Sequence, residues 1–159
     1  MESKTKSVNL KIAFKRLNSD TGFFGKTICK ITNSIYYHVE IIIDDLWVSA
    51  DSPMGVTIRP LEPVQHENWT YVDLGTRELL LEDYDIIMRY IEKQRGKGYD
   101  YLAIILSQLI PLKMHSKDKL FCSELVVLIL KLFLVEEVLD LVPQSTSPKD
   151  LARLFGLKE

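Results

Sequence analysis

The sequence predicts a single α+β domain in which a strand-rich first half precedes a helix-rich second half. The 159 residues suit one compact domain with a sizeable core. Short β-branched and aromatic segments dominate up to about residue 75, and the hydrophobic period then changes to helical spacing. No repeat or linker divides the chain. We therefore expect residues 1–159 to form one domain, with residues 1–7 as a flexible tail.

The first half predicts a sheet of about four to six antiparallel strands. Alternating or β-branched hydrophobic segments mark the strands at Val8–Phe14, Tyr36–Asp44, 45–51, 55–60 and Trp69–Gly75. A tight turn near Asp44 joins the second strand to the third as a hairpin. Between the first two strands, a short helix is expected from Asp20 or Thr21 to about Ile31.

The second half predicts four helices that pack against this sheet. They are expected at Leu79–Gln94, at 99–110 before Pro111, from Cys122 onwards, and at 148–155. Ser147 is the predicted N-cap of the last helix, with Pro148 in its first turn and Gly156 as its terminator.

Composition excludes several classes of protein. The formal charge of −2 provides no basic footprint for nucleic acid. Two cysteines, Cys29 and Cys122, do not make a disulfide framework and fit a reducing compartment. The longest apolar stretch, Leu125–Val135, contains Lys131 and is far shorter than the roughly 20 residues that span a bilayer. It therefore indicates a core helix and no transmembrane segment.

The start of the chain is polar and does not resemble a signal peptide. We accordingly expect a cytoplasmic protein, and a phage or viral origin is equally compatible. The sequence indicates no cofactor, and its oligomeric state stays open.

Cys122 stands at the beginning of the segment "FCSELVVLIL", which predicts a helix buried on nearly all sides. Unpaired backbone N–H groups and the positive end of the helix dipole stabilise a thiolate in a first turn. Such a thiolate is a good nucleophile near neutral pH. The alternative is a free cysteine packed as a small hydrophobic residue, which is the commoner role of a lone cysteine.

A nucleophilic thiolate generally needs a base, and His38 is the best candidate of three histidines. It lies in the middle of an apolar strand, where an imidazole is costly to bury without a partner, although a satisfied core histidine is the alternative. His66 and His115 lie in polar segments and are interpreted as solvated surface residues.

A third polar group usually orients the imidazole of such a pair. Glu40 shares the strand and the face of His38, whereas Ser49 and Asp51 lie on the neighbouring hairpin strand. Asp51 is the favoured candidate because it is anionic and a cross-strand residue reaches the imidazole more easily. Ser49 and Glu40 remain open as alternatives.

Five segments occur in an order that resembles a known family. They are "YYHVEIII", "VSADSPMGVTIRPL", "GKGYDYLAI", "FCSELVVLIL" and "STSPKDLARL". Together they are similar to the circularly permuted branch of the NlpC-type papain-like cysteine hydrolases, from about residue 8 to residue 155. This branch includes the YiiX-like bacterial proteins, a poxvirus protein and, more distantly, the lecithin:retinol acyltransferase group.

The resemblance implies a permuted papain-like fold in which the histidine strand precedes the cysteine helix. It implies that Cys122 is the nucleophile, that His38 is the base, and that Tyr99 orients substrate or helps to hold an oxyanion. Packing of Tyr99 on the core is an equally good interpretation. Family members often carry a glutamate at the position that Ser49 occupies here, which leaves the third member open.

The expected function is therefore a thiol hydrolase or acyltransferase that acts on a peptide, amide or lipid-like ester through an acyl-enzyme. The alternative is a binding or interaction module that keeps the fold without the chemistry. A metal site built from Cys122, His38 and an acid is disfavoured, because closely spaced Cys or His pairs are missing from the sequence.

Overall fold

The computed structural model describes residues 4–51, 53–60, 67–98 and 121–158. Five strands are β1 (Thr5–Arg16), β2 (Tyr36–Ile43), β3 (Leu46–Asp51), β4 (Gly55–Pro60) and β5 (Trp69–Leu80). Four helices are α1 (Phe23–Thr32), α2 (Leu81–Gln94), α3 (Cys122–Leu132) and α4 (Pro148–Leu154). Two short 3₁₀ turns, Glu136–Val138 and Pro143–Ser145, connect α3 to α4.

The strands form one antiparallel sheet in the order β4-β3-β2-β1-β5. The α+β class and the number of strands confirm the prediction. The expected helix at 99–110 lies outside the described residues. Within the described ranges, no helix is long and apolar enough to cross a bilayer.

One face of the sheet carries the hydrophobic core. Alternate residues of β1 and β2, among them Ile12, Phe14, Val39 and Ile41, are fully buried on this face. Helix α3 packs against β2 and β3, and its residues from Cys122 to Val127 are all buried. The prediction of a helix buried on nearly all sides is confirmed, and that burial anchors the start of α3 beside the sheet.

The end of β5 differs from the sequence prediction. The strand continues past Gly75 to Leu80, because β1 supplies paired partners as far as Thr5. The register shifts where Gly75 adopts a φ of 74°, and Asp73 accepts a hydrogen bond from the Gly75 N–H. Glycine at this bulge therefore bends the strand without ending it.

Helix α4 begins as its sequence predicts. Ser147 caps the helix by accepting a hydrogen bond from the Asp150 N–H, and the Asp150 carboxylate accepts from the Ser147 N–H in return. Pro148 occupies the first turn, where its missing N–H costs nothing. The nearby Ser123 hydroxyl of α3 donates to the Thr146 carbonyl at 2.6 Å, which ties the start of α3 to the start of α4.

Candidate active site

The second face of the sheet, opposite the core, carries a cluster of polar and aromatic side chains. Cross-strand partners of an antiparallel sheet project to the same face, and the observed register groups these residues. We call this the polar face, and it contains Lys15, His38, Glu40, Trp47, Ser49, Arg59, Trp69 and Tyr71. It holds the base that the sequence predicts together with residues that the sequence did not single out.

A bulge in β2 sets the direction of His38. Arg16 pairs with Tyr36 and Lys15 pairs with His38, so Tyr37 is an extra residue in the strand. As a result Tyr36 and Val39 both join the core although they are three residues apart. His38 thereby turns to the polar face beside Glu40 while remaining only 5% exposed.

Glu40 is the carboxylate that contacts His38. The Nε2 atom of His38 lies 2.8 Å from Oε1 of Glu40, and the Ser49 hydroxyl donates to the same oxygen at 2.6 Å. The second oxygen, Oε2, accepts from Nη2 of Arg59 at 3.2 Å. Since an ionised carboxylate can only accept, the His38 ring donates from Nε2. Glu40 therefore fixes both the tautomer and the orientation of the imidazole.

The pKa of Glu40 is lowered and the pKa of His38 is raised, and both shifts favour an ion pair between these two residues. Burial alone would raise the pKa of Glu40, but the hydrogen bond and charge of His38, the Ser49 hydroxyl and the Arg59 cation lower it below its usual value. Burial alone would lower the pKa of His38. The charge of Cys122 and its hydrogen bond, followed by those of Glu40, instead raise it well above the usual value.

Cys122 is the first residue of α3, and its side chain lies close enough to His38 to raise the pKa of the imidazole. The N-cap, Phe121, has an extended backbone and no side-chain cap hydrogen bond, so its side chain does not compete for the backbone N–H groups of the first turn. Cys122 itself is only 1% exposed. The sequence prediction of a cysteine at the beginning of a buried helix agrees with this placement.

Asp51, the favoured third residue, is not the partner that the structure gives to His38. Asp51 is exposed at the end of β3, where it pairs with Gly55 of β4. The backbone pairing of β2 with β3 covers Ile41–Ile43, so His38 lies beyond the stretch in which cross-strand register is held. The longer side chain of Glu40, two residues along the same strand, reaches the imidazole directly.

Ser49 lies beside the carboxylate and in no way replaces it. Its hydroxyl donates a hydrogen bond to Glu40, so Ser49 supports a carboxylate that β2 supplies. Tyr99, His66 and His115 lie outside the described residues.

Aromatic rings surround the imidazole on the polar face. Trp69 contacts His38 edge to face with ring centroids 6.0 Å apart, and Trp47 contacts Trp69 at 5.3 Å. The guanidinium of Arg59 lies over Trp47 at 5.1 Å. Arg59 is thus held by both a ring and the Glu40 carboxylate. The sequence did not indicate the position of Arg59, because the contribution of β4 to this face depends on the pairing of β3 with β4.

Across residues 4–51, 53–60, 67–98 and 121–158, no three His, Cys, Asp or Glu side chains are grouped to hold a metal ion. What the described residues do bring together is a thiol, an imidazole and a carboxylate, in the order that nucleophilic catalysis uses.

Comparisons with known proteins add no assignment. No protein-family model matches the chain, and no curated protein matches it significantly.

Proposed function

We propose that this protein is a thiol hydrolase or acyltransferase in which Cys122 is the nucleophile, His38 the base and Glu40 the residue that orients the base. The observation that carries the proposal is the buried His38 imidazole, whose Nε2 atom lies 2.8 Å from Glu40 and whose pKa is raised by both Cys122 and Glu40. A histidine with only a structural role would need a single polar partner. His38 interacts with two, the Glu40 carboxylate and the Cys122 thiol. The resemblance to permuted NlpC-type papain-like hydrolases supports the same assignment of Cys122 and His38.

The chemistry follows from the two ring nitrogens. Glu40 occupies Nε2, which leaves Nδ1 to take the proton of the Cys122 thiol. The thiolate attacks the carbonyl carbon of an amide or ester, and the carbonyl electrons move to its oxygen. Backbone N–H groups in the first turn of α3 are suited to stabilise that oxyanion.

Collapse of this tetrahedral intermediate yields the acyl-enzyme. The bond to the leaving amine or alcohol breaks, and His38 returns the proton to it. The resulting thioester on Cys122 is resolved by water in hydrolysis or by an acceptor in acyl transfer. The substrate class we propose is a peptide, another amide or a lipid-like ester. Neither Cys29 nor Cys122 forms a disulfide, which suits a reducing, cytoplasmic setting for this chemistry.

The pH dependence of Cys122 alkylation by iodoacetamide, read by mass spectrometry, tests the proposal. A thiolate paired with an imidazolium should react rapidly well below the ordinary thiol pKa of about 8.5. Cys29 is an internal control, because burial raises its pKa to about 11. His38→Ala should abolish the fast reaction. Labelling that is no faster than that of an ordinary thiol, or that His38→Ala leaves unchanged, would contradict the proposal.

The near-complete burial of Cys122 favours a second candidate, a binding module that keeps the fold. An enzyme incubated with acyl and peptide esters should accumulate an acyl adduct on Cys122. A binding module should form no adduct, and it should retain its ligand after Cys122→Ala. Labelling of the unfolded chain controls for a thiol that the reagent cannot reach.

A further inference from the structure

Helix α1 presents apolar side chains to solvent beside the candidate site. Phe23 is 77% exposed and Phe24 is 46% exposed, and their rings contact each other edge to face at 5.8 Å. Leu17 and Ile35, which flank the helix in sequence, are also exposed. Large aromatic side chains grouped on a surface in this way generally mark an interaction site.

Basic residues surround these apolar side chains. Lys26 and Lys30 are exposed on α1, which contains no acidic residue. A cavity of about 420 Å³ beside the helix is lined by both lysines together with Leu17 and Ile35. The exposed lysines and the exposed phenylalanines therefore occur on the same helix, α1.

We propose that α1 and its flanking residues Leu17 and Ile35 form a docking surface for an anionic lipid bilayer. Phenylalanine side chains enter the boundary between headgroups and acyl chains, while lysines at the same level bind anionic headgroups. The combination of exposed aromatic rings and clustered lysines matches both requirements. The buried face of α1, which includes Ile28, holds the helix to the body of the protein.

The docking surface on α1 is connected to the candidate active site through the buried face of the helix. Ile28 of α1 packs against Phe121 and Tyr37, which immediately precede Cys122 and His38 in the sequence. Helix α1 therefore lies between a bilayer bound at its exposed face and the helix start and strand that carry the thiol and imidazole. The docking surface does not depend on the proposed catalysis, because none of its residues contributes to the chemistry.

Co-sedimentation of the full chain with vesicles tests the docking surface. We expect binding to phosphatidylcholine vesicles that contain about 30 mol % phosphatidylserine, at about 0.15 M salt, and much weaker binding to phosphatidylcholine alone. The double substitution Phe23→Ser with Phe24→Ser should weaken binding by about tenfold or more. Lys26→Gln with Lys30→Gln should weaken it by about tenfold, and only for the anionic vesicles.

Matched controls separate this surface from nonspecific adsorption. Ile86→Ser with Lys93→Gln removes one exposed apolar side chain and one charge from α2, and it should bind as the wild type does. Cys122→Ala should also bind normally, so a failed catalytic test leaves this result intact. Circular dichroism verifies that each variant folds.

Three results would overturn the proposal. One is the absence of vesicle binding by the wild type. Another is full binding by the Phe23 and Phe24 variant, which would indicate adsorption by charge alone. The third is concentration-dependent dimerisation that this variant abolishes while vesicles are not bound, which would make the surface a contact between copies of the chain.

Discussion

At the scale of single residues, Glu40 and Asp51 are the two carboxylates that the sequence offers to His38. The choice between them depends on which one the folded strand brings to the imidazole. Glu40 lies 2.8 Å from Nε2, whereas Asp51 is exposed at the end of β3. Glu40 also receives the Ser49 hydroxyl and the Arg59 guanidinium, which keep it ionised despite its burial.

Replacing Glu40 by Gln should shift the reactivity of Cys122 to higher pH. The carboxylate contributes to the raised pKa of His38, so its loss lets the imidazolium deprotonate at lower pH and weakens the ion pair with the thiolate. We expect the alkylation rate at about pH 6 to fall by about tenfold or more, since one nearby charge moves a pKa by about 1–3 units. Gln retains a hydrogen-bond acceptor, so the change isolates the charge.

Asp51→Asn is the matched control for this experiment. It removes a carboxylate that is exposed on the neighbouring strand, and the pH profile of Cys122 alkylation should stay as in the wild type. A profile that shifts in Asp51→Asn and stays fixed in Glu40→Gln would return the third position to Asp51.

At the scale of elements, the beginning of β4 lies very close to the turn that follows α2. Gly55 has a φ of 70°, and a Cβ atom there would lie 2.1 Å from the Lys97 carbonyl oxygen. The Val56 N–H donates to that carbonyl at 2.8 Å, and the Val56 carbonyl accepts from the Gly96 N–H. Glycine at position 55 therefore allows the turn after α2 to pair with β4.

Gly55→Ala should destabilise the fold by roughly 2–4 kcal/mol, because both its backbone conformation and the contact with Lys97 must be relieved. Gly75→Ala is a matched control, since Gly75 also has a positive φ but nothing lies within 4 Å of the added Cβ. It should cost only about 1 kcal/mol. Urea unfolding of the two variants measures both values. An equal loss in the free energy of unfolding for both variants would mean that the close approach of Gly55 to Lys97 does not contribute to the destabilisation.

Local patterns in the sequence predicted the elements that depend on local chemistry. The N-cap at Ser147 and the apolar run after Cys122 each determine an element from neighbouring residues alone, and both are confirmed. The extension of β5 beyond Gly75 was missed, because it depends on partners some seventy residues earlier in β1. Strand pairing between distant segments has no signature within a single strand.

The dependence on pairing between distant strands also explains which residues of the candidate site could be predicted. Cys122 and His38 could be selected from their surroundings in the sequence, because a thiol at the start of an apolar helix and an imidazole in an apolar strand are both unusual. The carboxylate partner of His38 could not be selected in this way, because its identity depends on where the β2–β3 pairing ends and on the bulge at Tyr37. Arg59 was missed because only the β3–β4 register sets it opposite Trp47.

At the scale of the whole molecule, the ion pair on the polar face links folding stability to pH. The pKa of Glu40 is lowered in the folded state, by contributions from His38, Ser49 and Arg59 that outweigh its burial. A group of this kind stabilises the fold above its unfolded pKa, and that stabilisation is lost as the pH falls through its folded value. The contribution of Glu40 should therefore be complete above about pH 4.5 and disappear on further acidification.

Glu92 provides a contrast within the same chain. Its pKa is also lowered, first by a hydrogen bond from Arg95, but the pair is exposed on α2. Water and salt screen an exposed pair, so a lowered pKa there has little weight in stability. The two carboxylates thus share the direction of the shift and differ in burial, which allows a direct test of what burial contributes.

Urea unfolding of the wild type, Glu40→Gln and Glu92→Gln between about pH 7 and pH 3 measures this contribution. The free energy of unfolding of Glu40→Gln should lie below that of the wild type by a constant amount between about pH 6 and pH 4.5, where the unfolded His38 is already protonated, and the two should converge at lower pH. Glu92→Gln should follow the wild type at every pH. A difference for Glu40→Gln that does not change with pH would mean that packing, and not the carboxylate charge, is what Glu40 contributes to the fold.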